Sequence, residues 1–173
     1  MRPGQRGRLT AVKGRSRRIS YDAIMFKHIL VPIDDSPLAT KAAKYAARLA
    51  RSSGSRITAV HVIPEFRPPA FMDGVIPYPE LYSPDEYRKS TQRYARKLLA
   101  KVEAIAKKTR VKFDGIFVTD DDPWRAIIKT AKRQGCDVIV MASHGRRGIA
   151  AVVLGSETTK VLTHSKVPVL VCR

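Results

Sequence analysis

From Met25 onward, short apolar runs alternate with stretches whose apolar residues recur at helical spacing. Residues 29–33, Ile29 to Ile33, form the first apolar run and predict a strand, with Pro32 an irregularity at its carboxyl end because proline offers no N–H to a ladder. Ser36 and Pro37 then read as the cap and first residue of a helix. Leu38, Ala42, Tyr45 and Leu49 supply its apolar stripe, and Gly54 ends it. Residues 57–63 predict a second strand. Residues 64–83 hold four internal prolines (Pro68, Pro69, Pro77, Pro79) and predict a long loop. A second helix opens at Ser83-Pro84, with Tyr87, Tyr94, Leu98, Val102 and Ile105 inward and a basic outer face. Residues 113–119 predict strand three. Asp122-Pro123 caps a third helix with Trp124, Ile127, Ile128 and Ala131 inward, closed by Gly135. Residues 137–141 predict strand four, about 156–164 a short helix, and 167–172 strand five.

The strands are continuous apolar runs rather than alternating ones. Both faces of the sheet should therefore be covered, which points to parallel strands with helices on either side. Right-handed crossovers then give a single doubly wound five-stranded α/β sheet, and the order 3-2-1-4-5 makes strands one and four neighbours. In such sheets ligands bind beyond the carboxyl ends of the strands, at the switch point.

The 173-residue chain, 44% hydrophobic, is long enough for one core. It has no apolar run near the roughly 20 residues of a membrane helix. Nor does an apolar stretch follow the basic start as in a secretory signal. A soluble cytoplasmic protein without a membrane partner is the expectation. Its two cysteines, Cys136 and Cys172, read as buried apolar side chains at opposite ends of the sheet, not as a bridge. The formal net charge of +18 favours anionic partners. Residues 1–24 carry seven basic residues against Asp22 and lack apolar periodicity. They are expected to be a basic disordered extension, with Met25 the natural start and 25–173 the folded domain.

Two segments at strand carboxyl ends carry polar residues or glycines: Pro32-Ile33-Asp34-Asp35-Ser36, and residues 141–148 continuing to Gly155-Ser156. The second has the character of an anion site. Gly145 permits close backbone approach. Gly155-Ser156 opens a helix whose free N–H groups favour phosphate. Arg146, Arg147 and Lys160 supply charge nearby, and Asp34 can accept from a ribose hydroxyl. A purely structural glycine-rich loop is the competing reading.

Residues 137–148, then Leu154-Gly155-Ser156-Glu157, then 166–171, resemble the carboxyl-terminal signature of universal stress proteins, and 29–36 resembles that family's first strand with its Asp. The resemblance covers essentially Met25 to Arg173. It implies an adenine nucleotide alpha hydrolase-like fold, a stress-response binding module for ATP with Mg2+, and a homodimer through strand 167–172. ATP-binding members carry G-x2-G-x9-G-(S/T); here Gly145, Gly155 and Ser156 match, and Ala142 stands at the first glycine. By that resemblance Gly145, Gly155 and Ser156 hold phosphates, with Arg146, Gly148 and Glu157 beside them. Met141 and Ala142 line the mouth of the site. Asp34 meets the ribose or adenine side between Pro32 and Ser36, and Val62 sits near the adenine.

No catalytic residue is assigned. His144 has no nucleophile–base–orienter trio around it in sequence, and His28, His61 and His164 make no metal spacing. The P-loop, G-x-G-x-x-G and kinase signatures are absent, so a non-enzymatic module is expected. Two other readings stay open. One is a nucleotide-free interaction protein that dimerises through its terminal strand. The other is a weak, salt-sensitive nucleic-acid binder, which no aromatic platform or recognised module supports.

Overall fold

The computed structural model describes residues 26–67, 83–144 and 154–173. The first strand, β1 (His28–Pro32), leads through a short turn into α1 (Pro37–Ser53). Ser36 sits extended at the helix cap, and its hydroxyl accepts from the Ala39 N–H at 3.0 Å. The buried face of α1 is made of alanines: Ala39, Ala42, Ala43, Ala46, Ala47 and Ala50. The expected stripe is therefore rotated. Tyr45 is 44% exposed, and Leu38 and Leu49 only flank the core. Small side chains let the helix axis lie close to the sheet, so larger neighbours are pushed to the rim.

β2 (Arg56–Ile63), α2 (Pro84–Thr109), β3 (Phe113–Thr119), α3 (Pro123–Gln134), β4 (Val138–Ala142), α4 (Ser156–His164) and β5 (Val169–Cys172) follow. Ser83 caps α2 as predicted, accepting from Glu86 N–H at 3.1 Å. The α2 core face is Ala95, Leu98, Leu99, Val102 and Ala106, while Tyr87, Tyr94 and Ile105 are half-buried. Asp122 precedes α3 but makes no side-chain cap. Its carboxylate instead pairs with Arg125 at 2.5 Å. Of the expected long loop, residues 68–82 lie outside the described residues.

The five strands are all parallel, in the order β3-β2-β1-β4-β5. This is the doubly wound α/β sheet expected from the alternation of apolar runs. One core cluster packs α1 and α2 on one face, around Ile29, Val31, Leu98 and Val138. The other packs α3 and α4 on the opposite face, around Leu30, Val60, Ile127, Ile139 and Val161. β1 and β4 are covered on both faces, whereas the outermost strands β3 and β5 are only partly covered.

Some strand limits differ from expectation for identifiable reasons. Asp137 stays outside β4 because its carboxylate accepts from the Lys27 and His28 N–H groups at 2.7 and 3.1 Å, fastening the start of β1. Ile33 leaves β1 after Pro32, although its N–H still reaches the Val60 carbonyl at 2.9 Å. Val167 and Pro168 precede β5, with the Pro168 carbonyl accepting from Ile139 N–H. Cys136 stands before β4 and Cys172 pairs with Ala142 at its far end, about 20 Å apart at 3.3 Å per residue, and both thiols are free.

Candidate functional site

The sheet order puts the carboxyl ends of β1 and β4 side by side. β1 pairs with β4 through Ile29–Val138 and Leu30–Ile139. The turn after β1 is held from beneath. His61, buried in β2, donates from Nδ1 to the Ile33 carbonyl at 2.8 Å, and its ring meets Tyr94 edge-on at 5.8 Å. Above that anchor, Asp34 accepts the Ser36 N–H at 3.0 Å, which fixes the turn leading to α1. The Ser36 hydroxyl is spent on capping α1 and is buried. Val62, at the end of β2, packs at the edge of the α3–α4 cluster, on the same face as Met141.

At the end of β4 the chain and the start of α4 are in close contact. Gly155 N–H donates to the Ser143 carbonyl at 2.8 Å. A β-carbon at Gly155 would stand 3.1 Å from His144 Cα, 3.2 Å from His144 Cβ and 3.4 Å from the Ser143 oxygen. That closeness is why a glycine is needed here, since its φ of −60° and ψ of 149° suit any residue. Thr158 adds a buried bond from Oγ1 to the Ala142 carbonyl at 2.9 Å. The amino end of α4 is thereby pinned to the end of β4. Among the described residues no side chain caps α4, and its leading N–H groups and positive dipole end are the kind of feature that attracts an anion. Ser156, the first helical residue, is exposed beside them.

Ala142 closes β4 in regular pairing with Cys172, so its backbone makes no demand for glycine. Glu157 turns elsewhere: its carboxylate accepts the Trp124 N–H at 2.8 Å, doing for α3 what Asp122 does not, and also meets Lys160 at 3.4 Å. Gly145, Arg146 and Gly148 lie outside the described residues. The structure thus gathers Pro32, Asp34 and Ser36, Met141 and Ala142, and Gly155 and Ser156 around adjacent strand ends, with Val62 one strand further out. Ser143 Oγ and His144 Nδ1 are 3.1 Å apart, and Ser143 is buried. Among the described residues no three His, Cys, Asp or Glu side chains converge as a metal site, and no helix is long and apolar enough to cross a membrane.

His61 and Thr158 had no role in the sequence reading. The signal was there for His61: a polar ring within a continuous apolar strand must find a hydrogen-bond partner.

Known proteins with this arrangement are readily found. Two curated relatives are a universal stress protein of Bacillus subtilis, YxiE, 31% identical over 150 residues (86% of this chain and all of the relative), and universal stress protein MJ0577 of Methanocaldococcus jannaschii, 30% identical over 165 residues (87% and 97%). A solved structure of MJ0577 superposes with a TM-score of 0.66 at 29% identity, covering 86% of this chain and 96% of that one. A universal stress protein from Archaeoglobus fulgidus, solved in complex with dAMP, shares the fold at 19% identity and a TM-score of 0.62, covering 87% and 100%. The universal stress protein family model matches residues 25–173. With its doubly wound sheet and the glycine-tight join of β4 to α4, the chain belongs to the universal stress protein family.

Proposed function

We propose that the chain is an ATP-binding regulatory module, with the nucleotide lying across the carboxyl ends of β1 and β4. The observation that carries the reading is the join at Gly155. A backbone approach that a β-carbon would crowd sits directly before the start of α4, whose cap residue has no side chain to occupy the leading N–H groups. Such a cradle of N–H groups suits phosphate, and the exposed Ser156 hydroxyl adds a donor. Asp34, on the turn anchored by His61, is placed to accept from the ribose, and Val62 and Met141 offer apolar surface to adenine. Gly145, Arg146 and Gly148 are assigned to the phosphate side on their match to the family's motif alone. Mg2+ would be held chiefly by the phosphates and water, since that ion needs few protein ligands at nucleotide sites.

In this reading occupancy, not turnover, is the output. On this proposal the chain's contribution is to bind and orient the nucleotide. A dimer through the β5 edge would carry the state of the site to a second copy. Dependence on adenine nucleotide is supported by the neighbour of the same fold that holds dAMP.

Isothermal titration with ATP and with AMP tests the proposal. Binding of ATP with a Kd below about 100 μM, roughly −5.5 kcal/mol, is expected, with loss of binding in Gly155→Arg. No heat at that protein concentration overturns it.

A further inference from the structure

A second charged feature lies at the opposite pole of the sheet. A cleft of about 810 Å³ opens where β1, β2 and β3 begin and where α1 and α2 end. Six cations line it (Lys27, Arg51, Arg56, Lys108, Arg110 and Lys112) and, among the described residues, no acid does. Among the described residues, none of the ion pairs involves any of the six. Some basic side chains elsewhere pair with carboxylates, as Lys107 does with Glu103 one turn before this cleft, while others, such as Lys41 and Arg96, do not among the described residues, so it is the clustering of the six that marks the cleft.

Part of this charge has an ordinary explanation. Cations at helix carboxyl ends complement the dipole, which accounts for Arg51 and Lys108. It does not account for Lys27, Arg56 and Lys112, which stand at the amino-terminal ends of three adjacent strands, Arg56 level with Lys112 and Lys27 one residue out of that register. Arg56 N–H donates to the Lys27 carbonyl at 3.0 Å and Ile57 N–H to the Lys112 carbonyl at 2.8 Å. With strands about 4.8 Å apart the three span about 10 Å, and like charges on neighbouring strands repel. Arg110 adds an independent sign. Helices α1 and α3 end in left-handed glycines, Gly54 and Gly135, but α2 ends in a left-handed arginine with φ 57°. A side chain there costs backbone energy that glycine avoids, and what the chain gains is one more cation in the cleft.

We propose that this pole binds the phosphodiester backbone of a nucleic-acid strand, without reading its bases. Among the described residues no aromatic side chain lines the cleft, so they offer no stacking platform. Long exposed cations on an open surface suit a succession of phosphates, whereas a small ligand needs an enclosed, mainly apolar site. The surface is separate from the switch-point crevice, and its occupancy does not depend on the nucleotide reading.

Fluorescence anisotropy of the full chain with a labelled single-stranded oligonucleotide of about 20 nucleotides tests the proposal. Six phosphate contacts predict a slope of about −4 in log K against log salt. Arg56→Glu, Arg110→Gly and Lys112→Glu together should weaken binding at least tenfold at fixed salt and flatten the slope by about 2. Arg110→Gly alone should weaken binding while leaving the fold as stable as before or more so, which separates charge from folding. Deleting residues 1–24 should leave binding in place and still sensitive to the triple substitution, and saturating ATP should not compete. Binding unaffected by the triple substitution overturns the proposal, as does binding abolished by the deletion alone. So does triple-sensitive binding to phosphatidylserine vesicles with none to the oligonucleotide.

Discussion

Gly155→Ala is the smallest change that interrogates the join between β4 and α4. Because Gly155 has φ −60° and ψ 149°, alanine meets no backbone strain there, and the whole effect is steric. The new methyl would stand 3.1 Å from His144 Cα and 3.2 Å from its Cβ, against an ordinary carbon contact of about 3.5–4.0 Å. The end of β4 and the start of α4 must part by several tenths of an ångström. The 2.8 Å bond from Gly155 N–H to the Ser143 carbonyl spans that contact and lengthens with it. Overpacking of this size costs about 1–3 kcal/mol, and a weakened bond of this kind up to about 1 kcal/mol. A loss of about 1–3 kcal/mol in urea denaturation is expected. The same displacement moves the leading N–H groups of α4 relative to the Asp34 side, so ATP affinity should fall at least tenfold, about 1.4 kcal/mol. Ser156→Ala is the control. Its exposed hydroxyl supports no packing, so stability should hold within about 0.5 kcal/mol while ATP binding weakens. Unchanged stability in Gly155→Ala would refute the steric argument. Lost stability with unchanged ATP affinity would show the contact to be packing only and would sink the phosphate reading.

Burial, then the charge of Arg56, holds the His28 imidazole below its usual 6.5, outweighing the nearby Gln134 and Gly135 backbone and Asp137. The folded state therefore binds the ring neutral, against Thr58 Oγ1 at 2.7 Å. Its contribution is intact above about pH 6.5 and is lost as pH falls through the lowered value; thermal melts across pH 4–8 should show a drop that His28→Gln flattens. Burial pushes the Cys136 thiol up to about 11 and raises Cys172 as well, so a thiol reagent at pH 8 should label neither cysteine in the native protein and both in urea; rapid native labelling would contradict the buried placement. Leu170 on edge strand β5 and Leu162 on α4 are each 41% exposed, and Leu170→Lys should convert a dimer to a monomer in light scattering. A native monomer, or a Leu170→Lys dimer, would exclude that edge as the interface.

Helix starts were legible wherever a serine preceded a proline. Ser36 and Ser83 each cap through the hydroxyl, because a short oxygen at that position reaches the third N–H without competing partners. Asp122, in the same sequence position, does not cap α3, since Arg125 lies one turn on and takes the carboxylate. The N–H left over at Trp124 is met by Glu157, 33 residues away. No local pattern encodes that exchange. Tyr45 shows a related limit: hydrophobicity ranked tyrosine above alanine, but packing distance to the sheet selected the alanines.

The net charge posed a different difficulty. As a sum over the chain it pointed to anions and said nothing of where they sit. The fold divides it into two kinds of positive character. At the carboxyl pole the attraction comes from main-chain N–H groups on a helix start braced by Gly155 and Thr158, which is short-ranged and geometric. At the amino pole it comes from side-chain cations, which the starts of three adjacent strands and the ends of α1 and α2 bring together. A parallel sheet makes this division natural, because helix starts gather at one end of the strands and helix ends at the other. The first arrangement discriminates by shape and suits one compact phosphate chain. The second acts over a Debye length and weakens with salt, so it suits an extended polyanion. Added salt should therefore separate the two, weakening oligonucleotide binding steeply while ATP binding falls far less.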